Sequence, residues 1–128
     1  MLGSMRRLQG TVSSGLGDHG CWIRFLQDHY ARKTGAVLYP GTLNVELAHE
    51  WSVPEGSSAL RPEEYGGRIL IHIVRCRFMS EDAWVLRTEA NERGDGDHPR
   101  SILEIASPLP LRETYGLEDG LKVTVEVP

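Results

Sequence analysis

The rhythm of the apolar residues narrows the possible folds more than any other feature of this chain. Leu43, Val45 and Leu47 alternate with Asn44 and Glu46, and Leu121, Val123, Val125 and Val127 alternate with polar residues to the chain end. Side chains with a period of two share one face of a strand. The runs are separated by glycine and proline rather than by long amphipathic helices, and the 14 glycines mostly stand between them. This is not the alternation of strands and helices that a doubly wound sheet requires. Strands are expected from Leu8 through Gly10 and Val12 to the turn at Ser14-Gly15, and at residues 21–26, 42–47, 68–78, 83–88, 101–106 and 121–127. The run at 68–78 is the longest and is rich in β-branched residues, which suits a central strand. Short helices are expected at residues 27–34, stopped by Gly35, and at 110–115, stopped by Gly116, with a tight turn at Asp119-Gly120. Residues 52–67 and 91–100 read as unstructured. The expected fold class is mainly β, a small six-stranded barrel with one or two short helices, because closure removes exposed strand edges.

At 128 residues the chain has room for one domain. We assign it to residues 6–128, with 1–5 as a disordered or cloning-derived N-terminus. A net charge of −4 argues against a broad nucleic-acid surface. Lys33 and Lys122 are the only lysines, and the many arginines are spread along the chain rather than clustered. Cys21 and Cys76 form neither a disulfide framework nor a zinc spacing and read as small buried hydrophobes. No apolar run approaches the roughly 18 residues of a membrane span, and no secretory signal is present, so a cytoplasmic location is expected.

Three segments can carry chemistry. Ser13-Ser14-Gly15-Leu16-Gly17-Asp18-His19-Gly20 follows the first strand. Successive amides in such a loop can cradle an anion, although the residues taken alone favour a plain glycine-rich hairpin turn. It matches neither the dinucleotide fingerprint nor a Walker A loop. In Tyr39-Pro40-Gly41-Thr42-Leu43-Asn44-Val45, Thr42 and Asn44 share one strand face. Their side-chain oxygens are hard ligands suited to magnesium, or else ordinary polar groups facing water. Glu104 takes the opposite face from Leu103 and Ile105, pointing either to solvent or into a pocket where it would bind a hydroxyl or accept its proton. Arg112, after a proline-bounded turn, is suited to phosphate, or else is an exposed helix arginine pairing with a nearby glutamate. The five histidines show no metal-ligand spacing; His72 reads as packed or half exposed, and His98 is placed to close over a substrate. Trp51 and Trp84 suit packing, while Trp22, beside the glycine loop, could stack on a flat ring.

In order and spacing, Ser14-Gly15-Leu16-Gly17, Tyr39-Pro40-Gly41-Thr42-Leu43-Asn44, Glu104-Ile105, Ser107-Pro108, Leu111-Arg112 and Leu117-Glu118-Asp119-Gly120 resemble the archaeal-type CTP-dependent riboflavin kinase family from about residue 6 to 127. The resemblance implies a cradle-loop barrel and transfer of the CTP γ-phosphate to riboflavin, giving FMN and CDP with Mg2+. It implies nucleotide binding by Gly15, Leu16, Gly17, Asp18, His19, Gly20 and Cys21 and by Leu109, Pro110, Leu111 and Arg112. Thr42 and Asn44 would hold the metal. Glu104, the tentative catalytic group, would contact the flavin side together with His98 and Gly96. Two departures stand out. The loop runs Gly17-Asp18-His19-Gly20-Cys21-Trp22 where the family has Gly-Glu-Gly before an aromatic, and Gly96 stands where the family has a flavin-touching threonine, with Thr88 further back. Transfer to another small alcohol, or nucleotide or flavin binding without turnover, are the alternatives. No membrane or nucleic-acid partner is expected, the family's frequent helix-turn-helix domain is not found in this sequence, and the expected state is a monomer or weak homo-oligomer.

Overall fold

The computed structural model describes residues 5–15 and 19–128. Its elements are β1 (Arg6–Ser13), α1 (His19–Phe25), α2 (Gln27–Thr34), β2 (Leu43–Leu47), β3 (Ser58–Leu60), α3 (Pro62–Tyr65), β4 (Ile71–Phe78), β5 (Glu81–Thr88), α4 (Glu89–Glu92), β6 (Ile102–Ala106), α5 (Leu111–Tyr115) and β7 (Lys122–Val127). Six strands form a closed antiparallel barrel in the order β4-β5-β6-β2-β1-β7, sealed by the pairing of β7 with β4 at Arg77↔Glu126 and Phe78↔Val125. One edge of β4 is shared: its second half meets β7, while Ile71, His72 and Ile73 in its first half pair with the short β3.

The period of two accounts for the barrel interior. Val12, Leu43, Val45, Val74, Cys76, Phe78, Val85, Leu103, Ile105 and Val125 belong to one buried cluster. Burying each such Val, Leu, Ile or Phe side chain contributes about 1.5–3 kcal/mol relative to exposure. A second core lies outside the barrel wall, where Ile71, Ile73, Trp84, Leu86 and Ala106 meet Ile23, Leu26 and Tyr30 from the α1–α2 segment. The start of β4 at Ile71–Val74 and the middle of β5 at Ala83–Leu86 are therefore covered on both faces and read as short, nearly continuous apolar runs, whereas the second half of β4 alternates, with Arg75 and Arg77 exposed. Among the described residues, no helix is long and apolar enough to cross a membrane.

Four expectations are corrected. Residues 21–26 are not a strand; they lie in α1 and its junction with α2. The buried residues Ile23, Leu26 and Tyr30 fall at intervals of three and four, a helical period that continues into α2. Cys21 is exposed on α1, whereas Cys76 is buried inside the barrel, where burial pushes its thiol up to about 12. Residues 52–67 contain β3 and α3, the latter started by Pro62 with the Glu64 carboxylate accepting the Arg61 N–H at 2.8 Å. Residues 91–100 begin in α4 and bury Asn91 and His98. The described residues thus hold five short helices and a seventh strand in addition to the six of the barrel. The remaining strands, α2 with its stop at Gly35, and α5 with its stop at Gly116 fall where the sequence places them.

Candidate functional site

Register builds the site. Ser13 of β1 lies opposite Asn44 of β2, Asn44 lies opposite Glu104 of β6, and Glu104 lies opposite Leu86 of β5. Directly opposed residues point to the same side of a sheet. The four therefore form one row on the outer face of the barrel, running from the second apolar core at Leu86 to the end of β1. Asn44 is 5% exposed and Glu104 is 6% exposed. Asn44 thus does not face water as an ordinary strand residue would, and Glu104 does not point to bulk solvent. Buried groups of this kind need polar partners. Gly15 lies directly over Asn44: a Cβ on Gly15 would come within 1.9 Å of Asn44 Nδ2. Only a residue without a side chain lets the end of β1 approach the amide so closely.

Glu104 receives its partner from the polar segment. His98 Nδ1 lies 2.8 Å from Glu104 Oε1, and both side chains are buried. Thr88 Oγ1 accepts the Asn91 N–H and starts α4, and Asn91 Oδ1 accepts the His98 N–H at 3.3 Å. Gly96 packs on the same amide, where a Cβ would come within 1.7 Å of Asn91 Oδ1. Gly96 is thus a buttress for the segment that carries His98.

The third segment closes the far end of the row. Arg112 Nη2 donates to Ser13 O at 3.2 Å and to Asp119 Oδ1 at 2.9 Å, while its Nη1 donates to Leu117 O at 3.3 Å. Ser14 Oγ donates to the other Asp119 oxygen at 2.5 Å. The carboxylate chosen by Arg112 is Asp119 in the turn before β7, not a glutamate of its own helix. The Ser14 hydroxyl and the Arg112 guanidinium together hold the Asp119 carboxyl below its ordinary 3.8. A depressed folded value means that this tether contributes above the ordinary carboxylate range and is lost as pH falls through the folded value. Asp119→Asn is therefore expected to lower the urea midpoint at pH 7. The difference from the parent protein should shrink to nothing as the pH is taken well below 3.8; a difference independent of pH would refute the assignment.

Leu111 turns into the barrel core, so any contact it makes with a ligand is through its backbone. Leu109 is 38% exposed beside the buried Ser107, whose Oγ accepts the Leu109 N–H and whose carbonyl accepts the Tyr39 N–H at 2.8 Å. This brings the Tyr39-Pro40-Gly41-Thr42 approach to β2 alongside the Ser107–Arg112 segment. Leu16, Gly17 and Asp18 lie outside the described residues; His19 and Gly20 open α1, and Cys21 is on its exposed side. Trp22 is partly exposed and packs edge-on against Phe25, while Trp51 and Trp84 are core residues. His72 is partly buried and pairs with Glu89. A separate groove lined by Gln9, Thr11, Glu46, Lys122 and Thr124 contains none of the candidate residues.

Two participants escape a reading of the sequence. Ser13 Oγ is buried, and among the described residues it has no hydrogen-bond partner. It joins the row only because of its register with Asn44, which no local signal reveals. Asn91 is identified only by the fold of the segment around it. Among the described residues no three His, Cys, Asp or Glu side chains converge on a metal position. The polar groups of this row are instead the Ser13 hydroxyl and the Asn44 amide, with the Glu104 carboxylate next to them. Such a set fits a hard cation that keeps most of its positions for water and phosphate, and a carboxylate able to orient an alcohol.

A family model with the label CTP-dep_RFKase, described as "Domain of unknown function DUF120", matches residues 12–127. A protein named riboflavin kinase from Methanospirillum hungatei is 31% identical over 94% of this chain and 57% of its own length. Proteins of the same name from Pyrobaculum arsenaticum and Saccharolobus solfataricus are 30% and 27% identical over 94% of this chain, covering 60% and 73% of their own lengths. The chain therefore spans well under two thirds of the first two of these relatives.

Proposed function

This chain belongs to the CTP-dependent riboflavin kinase family, and from that premise we propose that it transfers the γ-phosphate of CTP to the terminal ribityl hydroxyl of riboflavin, giving FMN and CDP. The observation that carries the reading is the row itself: Asn44 held beneath Gly15 and directly opposite the buried Glu104. One side of Asn44 adjoins the nucleotide loop and the other adjoins the carboxylate that would meet the alcohol.

Phosphoryl transfer asks a protein mainly for positioning and charge neutralisation. Thr42 and Asn44 would hold Mg2+, which when bound neutralises charge on the transferring phosphates. The amides that follow Gly15 and the Leu109–Arg112 segment would hold the nucleotide. Arg112 would act chiefly by fixing the end of β1 through the Ser13 carbonyl. Glu104 would accept a hydrogen bond from the ribityl hydroxyl and take its proton as that oxygen bonds to phosphorus and the bond to CDP breaks. The replacement of the family's threonine by Gly96, packed on Asn91, supports a second reading in which the same machinery serves a different alcohol.

The test is a matrix of CTP, ATP, GTP and UTP against riboflavin and other polyols, with Mg2+ and mass detection. FMN and CDP should appear from CTP and riboflavin, with ATP a poor donor. Phosphorylation of another polyol without FMN would select the second reading, and CTP stabilisation without any phosphorylated product would indicate a binding module. A ligand at 100 times its Kd raises stability by about 2.7 kcal/mol, which a thermal shift reads readily.

A further inference from the structure

We propose that His98 is a positioning residue for Glu104, and that Asn91 and Gly96 form the support that holds it in place; the proposal rests on the kinase reading above. His98 and Glu104 are each only 6% exposed. Burying two ionisable side chains is costly unless each satisfies the other. The pair is assembled from independent places. Glu104 comes from the barrel wall, and His98 comes from a segment reading Arg93-Gly94-Asp95-Gly96-Asp97-His98-Pro99-Arg100. That segment has no large aliphatic or aromatic side chain to draw it inward. A connection serving only to join β5 to β6 would leave such residues in water.

Specific devices turn it inward instead. The Asn91 amide oxygen accepts the His98 N–H, and the absence of a Cβ at Gly96 lets the backbone sit against that same amide. The Gly94 N–H donates to Asn91 O, and the Asp95 N–H donates to Ala90 O at 2.8 Å. The result is one imidazole nitrogen 2.8 Å from one carboxylate oxygen, an ion-pair contact without the alignment of a hydrogen bond, next in the row to Asn44. An imidazole packed this closely against a buried carboxylate restricts the orientations the carboxylate can take, a supporting role of the kind that neighbours of catalytic and metal-binding groups play. His98 would thus act through Glu104 rather than by touching the flavin.

Steady-state kinetics on His98→Ala and His98→Asn, with folding checked by circular dichroism, provide the first test. The alanine variant should lose about 10- to 100-fold in kcat for FMN formation, with the KM for CTP unchanged within about twofold. The asparagine variant, which offers an amide near the position of Nδ1, should recover most of the loss. A folded alanine variant with normal kcat would overturn the proposal, as would an asparagine variant no better than alanine. The second test does not depend on a substituted His98: long-range 1H–15N spectra of the parent protein and of Glu104→Gln. The His98 Nδ1 resonance should move between the two. An unmoved resonance, with normal FMN formation by the parent protein, would overturn the positioning role alone. Absence of FMN from the parent protein would instead overturn the kinase reading.

Discussion

Alanine at both Thr42 and Asn44 is expected to reduce kcat/KM for FMN formation by about 10³-fold or more, because a metal ion at a phosphoryl-transfer site is worth several kcal/mol and both proposed ligands would be gone. The inward neighbours of Asn44 on β2, Leu43 and Val45, remain in the barrel core, so the double variant should stay folded. Each single variant should shift the Mg2+ dependence to higher concentration before it lowers the maximal rate. Glu46→Ala is the matched control: Glu46 is exposed on the same strand, one step along the same face at Thr11↔Glu46. It should retain the parent activity. Mass detection of FMN across a Mg2+ titration is the measurement, and full turnover by the double variant would remove Thr42 and Asn44 from the metal site.

The largest structural effect should come from Arg87, which the sequence does not single out. Its guanidinium is 3% exposed at the end of the barrel interior, 5.0 Å from the centroid of the Trp51 ring. It donates to the carbonyls of Trp51, Arg100 and Ile102 and to Glu92 Oε1 at 2.9 Å. Burial lowers its pKa, and the Glu92 carboxylate partly opposes that shift. Arg87→Met keeps most of the volume but removes the cation facing Glu92 and one donor to each of the three carbonyls, leaving the Glu92 carboxylate only the Val53 N–H and the outlying Arg100 guanidinium, and the Arg100 carbonyl the Trp51 N–H. Removing one partner from a buried charged network costs about 3–5 kcal/mol, a large share of the 5–15 kcal/mol typical of a domain. Arg75→Met provides the contrast. Arg75 pairs with Asp82 while 69% exposed, and such a surface pair is worth about 0–1 kcal/mol. Urea unfolding of the two variants compares them directly, and near-equal losses would refute the central role given to Arg87.

What was legible in the sequence follows from how far each signal reaches. The alternation in β2 and β7, the stops at Gly35 and Gly116, and the turn at Asp119-Gly120 are set by residues within a few positions of one another, and the structure reproduces them. Residues 21–26 read as a strand in the sequence because a short apolar run suits either a strand or a helix. The decisive residue, Tyr30, lies beyond the run and in the next helix. The polar 91–100 segment reads as unstructured for the opposite reason. Its inward fold depends on the Asn91 amide and on a close approach at Gly96, and neither appears in hydropathy.

The sequence by itself determined that the chain builds a small β barrel, and its motifs identified the kinase family and named the residues of the candidate site. Only the tertiary structure decided which of those residues meet. A period of two settles which face of its own strand Asn44 or Glu104 occupies, but not which strand lies alongside, and a slip of one residue would turn every side chain to the other face. The pairings Ser13↔Asn44 and Asn44↔Glu104 are long-range, made by closing the barrel. The burial of that row is likewise long-range: it requires Gly15 over Asn44 and His98 against Glu104, contacts between segments distant in the chain.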